Sequence, residues 1–284
     1  MSRYLAESDI EIAAIEWLLE DKRFHYHHGQ DIRRSLKKAV LEHRFAAYLQ
    51  KRYSHVPAKV LTEVQQEFLY QSGPDLRHRN HSFHLKLSKG ISKNWKDEQG
   101  KECFEHFYAV DYDHPSNNEF WAVNQYTIEG RNTRRPDLII FVNGLPLVLF
   151  EFKNWFDPEA TVDTAFNQVQ HYTEDIPLLF ETNCLTVISD GDTTLHGMYS
   201  SGREWYAAWK SVDGINIVEN DFALETLIKG LLTPERLLQY IRFYIFHEPE
   251  KGQLVKKGAR YHQFFGIQFA LDNTLKAIRP VGDG

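Results

Sequence analysis

Arg134–Asn154, RRPDLIIFVNGLPLVLFEFKN, is the stretch from which the fold is read. Two apolar runs, Leu138–Val142 and Leu145–Phe150, flank Asn143-Gly144. Asn-Gly tolerates the two positive φ angles of the tight turn whose twist matches paired strands, so a β-hairpin is predicted. Side chains alternate faces along a strand, which puts Glu151 and Lys153 on one side and Phe150 and Phe152 on the other. A charged pair ending so apolar a run is costly to bury unless it is paired or binds a metal. Asp137 stands just before the first strand. A strict two-residue turn would set it opposite Phe150, on the wrong face to meet Glu151. Convergence requires a bulge, an extra loop residue or a bend at Pro136.

Outward from the hairpin, the C-terminal side predicts a helix over about Val162–Glu174 and a buried strand at Cys184–Ser189. Helices at Phe222–Leu232 and Pro234–Phe246 follow. HEPEKGQLVKKGA, with its Pro and two Gly, reads as a linker before a last helix, Gln263–Ile278. On the N-terminal side, Phe104–Val110 and Phe120–Ile128 are rich in aromatic and β-branched residues and read as strands. Before Ser88 the texture is helical. Ser8–Glu20 repeats Ile12, Ile15, Leu18 and Leu19 at helical spacing with Ser8 as cap, and Asp31–Tyr53 and Ala58–Leu69 alternate apolar and charged faces. The predicted class is α/β or α+β, a mixed central sheet flanked by helices with a helical N-terminal portion.

The 284 residues carry 39 acids against 33 bases, a formal charge of -6, so no global positive field marks a nucleic-acid partner and any such site must be a local patch. The two cysteines, Cys103 and Cys184, form no metal-type pair and no disulfide framework, which suits a reducing cytoplasm. No apolar run approaches eighteen residues, so neither secretion nor a membrane span is expected.

Two carboxylates and an ammonium at one strand end are the equipment for hydrolysing a phosphodiester. Asp137 and Glu151 suit magnesium, which takes a few carboxylates and completes its shell with water and phosphate oxygens. Lys153 can orient the attacking water or neutralise developing charge. Arg131, Arg134 and Arg135, immediately before Asp137, are candidates for contacts to the DNA backbone.

RPD followed after a hairpin by EFK resembles the PD-(D/E)xK nuclease signature, here Asp137, Glu151 and Lys153. Gln168 and Tyr172 in NQVQHY lie one helical turn apart and resemble the QxxxY motif of the restriction subunit of type I restriction-modification enzymes. SDIEIAAIEWLLE resembles that family's first helix, in which an acid points to the active site. Glu11 is the best match, with Glu7 and Glu16 as alternatives. KGARYHQFFGIQFALDNTL, continuing to KAIRPVGDG, resembles the stretch joining nuclease to ATP-driven motor, where Gln263 would approach an adenine.

The resemblance implies a restriction-endonuclease-like core over residues 1–247, followed at 248–284 by a linker and the leading helix of a motor absent from this chain. It further implies magnesium-dependent cleavage of double-stranded DNA, with modification and specificity subunits as partners. ATP would enter only through the motor and S-adenosylmethionine only through the partners. No GxxxxGK[ST] occurs in the chain, so ATP hydrolysis is not expected of it. Two other readings stay open: a standalone repair or branched-DNA nuclease of the same fold, and a catalytically silent DNA-docking domain.

The remaining signals are set lower. His78, His81 and His84, interleaved with Arg77 and Arg79, read as a solvated or phosphate-facing stretch rather than a zinc site, because no cysteine accompanies them. His25, His27 and His28 read as surface. Trp155 is assigned no role.

Overall fold

In the computed structural model, which describes residues 6–154, 161–218, 222–250 and 252–278, the chain opens with α1 (Glu7–Leu19) and strand β1 (Phe24–His28). Three helices follow, α2 (Glu42–Arg52), α3 (Ala58–Leu69) and α4 (Leu76–Lys89). A ribbon of β2 (Ile91–Lys96) and β3 (Glu102–Phe107) leads to β4 (Phe120–Asn124) and to a short ribbon, β5 (Ile128–Glu129) and β6 (Thr133–Arg134). The predicted hairpin is β7 (Leu138–Val142) and β8 (Leu145–Phe152). Then come α5 (Val162–Asp175), α6 (Pro177–Thr182), β9 (Leu185–Ser189), β10 (Thr194–Gly197), α7 (Ala223–Leu231) and α8 (Pro234–Phe243). The described part closes with β11 (Ile245–Glu250), β12 (Gln253–Gly258) and α9 (Tyr261–Ala277).

Among the described residues, the central sheet runs β1-β4-β7-β8-β9-β10. It is mixed: β1 with β4 and β8 with β9 are parallel, and the other neighbours are antiparallel. Every residue of β4, β7, β8 and β9 is buried, because helices cover both faces. On one face Leu138, Ile140, Val142, Phe150 and Phe152 pack against residues from α1, α2, α3, α7 and α8. On the other, Ile139, Phe141 and Leu149 meet Ala165, Val169 and Tyr172 of α5 and Leu179 and Phe180 of α6. Each fully buried side chain of this size contributes roughly 1.5–3 kcal/mol, so the hairpin is firmly anchored in the core.

The hairpin solves its register problem with a bulge. Asn143 and Gly144 have φ of 53° and 83°, as the tight turn demands. From the turn Val142 pairs with Leu145 and Phe141 with Pro146, but Ile140 pairs with Val148 and Leu138 with Phe150. Leu147 is the extra residue. Leu147 and Val148, though adjacent, both join the core on the α1 side, so the alternation of β8 changes phase between them. Beyond the bulge, Leu149, and with it Glu151 and Lys153, faces α5. That is the face of Ile139 and Asp137.

Several expectations are corrected. The second helix begins at Glu42 rather than Asp31, because residues 32–41 are tied down as an irregular strap: Leu41 N–H donates to Gly144 O at 2.9 Å, and the Arg34 guanidinium lies 3.4 Å from the Tyr126 ring centroid. Helix α1 is capped at Ala6, where Asp9 accepts the Ala6 N–H, and not at Ser8. The histidine stretch is α4, with His84 buried rather than solvated. His27 belongs to β1 and packs 3.7 Å from Trp121. The segment read as a linker is the β11–β12 hairpin; its alternating residues bury Lys256, whose Nζ donates to Asn183 O at 2.6 Å. The last helix starts at Tyr261 and buries Phe264 and Phe265. Trp155 and residues 279–284 lie outside the described residues.

Candidate active site

Asp137 lies one position before β7, and its ladder partner by the post-bulge register is Glu151. The two carboxylates therefore face each other across the sheet. Phe152 N–H donates to Asp137 Oδ2 at 2.7 Å, which ties the first acid to the strand bearing the second. Lys153 Nζ meets Glu151 Oε1 at 2.7 Å, and Lys153 N–H donates to Ser189 O, which fixes the end of β8 against β9. Asp137 and Glu151 are buried, with Lys153 partly so. Glu151 Oε2 is buried and no described donor closes on it with hydrogen-bond geometry.

Such a cluster is short of positive charge. Burial first, and then the neighbouring Glu151, raise Asp137 to about 8, with the Phe152 N–H and Lys153 pulling the other way. Glu151 is likewise raised, by burial against the pull of Lys153 and of Tyr172 at its flank. Lys153 is lowered by burial but raised more by Glu151 and Asp137, so its ammonium is held charged. Two like charges in a dry site with one cation are stable only when a proton or a further cation joins them.

Helix α5 crosses above this cluster. Its buried Tyr172 flanks Glu151, and Gln168 lies one turn earlier on the same helix. Tyr172 is raised by its burial and by the Glu151 charge, so it remains a neutral donor. The N-terminal acids separate by position. Glu7, at the first turn of α1, acts electrostatically on Asp137, Glu151 and Lys153 alike. Glu11, one turn on, is spent elsewhere: its two oxygens accept from Asn124 Nδ2 and Gln125 Nε2, each at 2.6 Å. Glu16 is exposed on the same helix. The family likeness favoured Glu11 over Glu7 and Glu16; the docking of α1 hands the Glu11 carboxylate to Asn124 and Gln125.

Of the arginines, Arg134 is committed to Asp175, with Nε at 2.7 Å and the second guanidinium nitrogen at 2.6 Å. Arg131 and Arg135 are exposed on the ribbon that leads to Asp137. Gln263 caps α9: its Oε1 accepts the Arg260 N–H at 2.8 Å. The histidine pattern gathers His81, His84 and His247, with His81 and His247 rings 4.6 Å apart. Burial first and then the Lys256 charge lower His84 to about 3 and His247 to about 2. Among the described residues no group of three or more His, Cys, Asp or Glu is arranged to hold a metal. The Asp137–Glu151 pair supplies two carboxylates, which fits a hard ion that completes its shell with water and phosphate, and does not fit a closed structural site. The uncapped Glu151 Oε2 and the raised carboxylates agree with that fit.

A six-stranded mixed sheet with helices on both faces and an acidic, lysine-bearing cluster at the end of its central strands defines an α/β protein built around one polar site. A family model described as the type I restriction enzyme R protein N terminus matches residues 4–205, and the chain belongs to that family. It is 34% identical over 293 residues to the type I restriction enzyme HindI endonuclease subunit of Haemophilus influenzae, covering 98% of this chain and 28% of that protein. A Methanocaldococcus jannaschii protein provisionally named the type I restriction enzyme MjaIXP endonuclease subunit is 28% identical over 297 residues, covering 95% of this chain and 28% of that protein. The Staphylococcus aureus (strain COL) type I restriction enzyme SauCOLORF180P endonuclease subunit is 27% identical over 161 residues, 53% of this chain and 16% of that protein. The chain thus spans little more than a quarter of the length of the first two relatives. Among the described residues, no helix is long and apolar enough to cross a membrane.

Proposed function

We propose that this chain cleaves phosphodiester bonds of double-stranded DNA with magnesium, as the nuclease portion of a type I restriction subunit. The observation that carries the reading is the bulge at Leu147, which turns Glu151 and Lys153 onto the face of Asp137. Without a function, a device that gathers two carboxylates and an ammonium in a dry site is a net cost.

Asp137 and Glu151 would hold the ion. Magnesium, when bound, polarises the phosphate and lowers the pKa of a bound water. Asp137 is oriented by the Phe152 amide, so its carboxylate does not rotate away from Glu151. Lys153, charged and on a flexible stem, swings from Glu151 toward the phosphate oxygens as negative charge grows there. Tyr172, buried at the flank of Glu151, favours the ionised, ligand-competent form against the burial that raises this acid. Glu7 adds a third negative charge at the mouth and raises the demand for a cation. Arg131 and Arg135 offset repulsion between that mouth and the DNA backbone.

The family membership supports partners of the modification and specificity class, with sequence choice residing in them. ATP would act through a motor and S-adenosylmethionine through the partners. Both described cysteines are free, in keeping with action in a reducing cytoplasm. The test is cleavage of plasmid DNA by the assembled full-length subunit bearing Asp137→Ala, Glu151→Ala or Lys153→Ala. Loss of cleavage with DNA binding retained is expected; wild-type cleavage by all three variants overturns the assignment.

A further inference from the structure

We infer that Glu11 and Gln125 form a clamp that positions the cleavage site, with Glu11 acting as a positioning residue through Asp137; this rests on the nuclease reading above. The Glu11 carboxylate straddles two consecutive residues at the end of β4, accepting from Asn124 Nδ2 and Gln125 Nε2 at 2.6 Å each. Gln125 N–H in turn donates to Asp137 O at 3.0 Å, one residue beyond the last ladder pair, Asn124 with Leu138. One carboxylate therefore connects, through two hydrogen bonds, to the backbone of the residue that would ligate the metal.

The backbone at Gln125 shows that the contact is imposed. Its φ is +52°, in the left-handed region that a residue with a long side chain adopts only at a cost. The chain turns sharply away there after making the bond to Asp137. Two short, charge-assisted hydrogen bonds from a half-buried carboxylate are of the strength needed to hold it. Asn124 is fixed from its other end as well, its Oδ1 accepting from Tyr26 OH at 3.1 Å.

The same clamp sets the reach of α1. Glu7 and Glu11 are four residues apart, on one helical face. Pinning Glu11 to the β4 end fixes the rotation of the first turns of α1 against the sheet. Asp9 closes the helix start by accepting the Ala6 N–H at 2.9 Å, which limits fraying there.

The experiment is a magnesium titration of DNA cleavage by the full-length subunit in its complex, with Glu11→Gln, the double variant Glu11→Gln/Gln125→Glu, and Asp137→Ala alongside. Glu11→Gln keeps the shape but removes the charge and puts an amide donor where Gln125 Nε2 found an acceptor, so the bond to Gln125 survives only as a neutral one with that amide turned over. The magnesium concentration for half-maximal cleavage should rise about tenfold, the loss expected for one charge-assisted hydrogen bond. In the double variant the amide introduced at position 11 accepts from Asn124 and donates to the carboxylate introduced at position 125, so both bonds return. Half-saturation should fall back to within about threefold of wild type, a recovery that general destabilisation does not produce. Unchanged half-saturation in Glu11→Gln, or an impaired single variant that the double variant fails to rescue, overturns the clamp. If Asp137→Ala cuts as wild type does, the nuclease reading fails; if it is inactive while Glu11→Gln is normal, the clamp alone fails.

Discussion

Phe152 donates its backbone N–H to Asp137 Oδ2 at 2.7 Å, so the acid on one hairpin strand is held by the strand that carries Glu151 on one side of that amide and Lys153 on the other. The hydrogen bond exists because Leu147 bulges, and every prediction about the cleft depends on that single extra residue.

Asp137→Asn preserves the acceptor for Phe152 N–H and removes one of two like charges. Cleavage is expected to be lost, while the metal-free chain gains stability of roughly 1–3 kcal/mol at pH 8, from relief of burial and of repulsion by Glu151. Urea midpoints of the two proteins at that pH, without divalent ions, decide it; a variant less stable than wild type counts against the charge-deficient site.

The Asp137 proton leaves near the ordinary 3.8 in the unfolded chain and near 8 in the folded one. Between those values the folded state holds the extra proton, so this group's contribution to stability falls as pH rises from about 4 to 8 and then levels. Magnesium competes with that proton. Its apparent affinity should rise with pH up to about 8, and binding at pH 7 should release protons, measurable by titration calorimetry in buffers of different ionisation enthalpy.

Lys153→Met leaves Glu151 buried without its ammonium. The residue would then take up a proton at neutral pH, cleavage would disappear, and the chain would lose roughly 2 kcal/mol, less than for an ion that cannot neutralise. Lys153→Arg keeps the charge but spreads it over a planar fork, so it should restore stability more fully than activity. Equal recovery of both would mean that a positive charge of either shape suffices at this position.

Arg131 and Arg135 differ from Arg134 in what they are tied to. Arg131→Ala and Arg135→Ala should each reduce the salt dependence of DNA binding by about one counterion, with no change in melting temperature. Arg134→Ala, which frees Asp175, should lower the melting temperature of the metal-free chain and leave the salt slope nearly unchanged. A slope that responds only to Arg134 would relocate the DNA path.

Much of this molecule is legible from local chemistry. Asn143-Gly144 specified the turn, the apolar runs specified buried strands, and Gln168 with Tyr172 specified a helix face, because turn angles and strand or helix periods are properties of a few neighbouring residues. The β11–β12 hairpin was not legible, since its Pro249 and Gly252 read as a linker and its placement depends on packing against α4 and on the Lys256 bond to Asn183 O, both distant in sequence. Nor was α4, whose histidines look solvent-facing until His84 is buried by elements far away in the chain.

The choice of Asp137, Glu151 and Lys153 as candidates, and the need for some break in register if they were to meet, followed from the sequence by itself. The tertiary structure decided how that need was met, through Leu147, and where the Glu11 carboxylate goes, to Asn124 and Gln125 at the end of β4. The reason is physical. A strand's period states which residues share a face, but the phase of one strand against another, and the rotation of a helix on a sheet, are set by packing between segments that the sequence keeps apart.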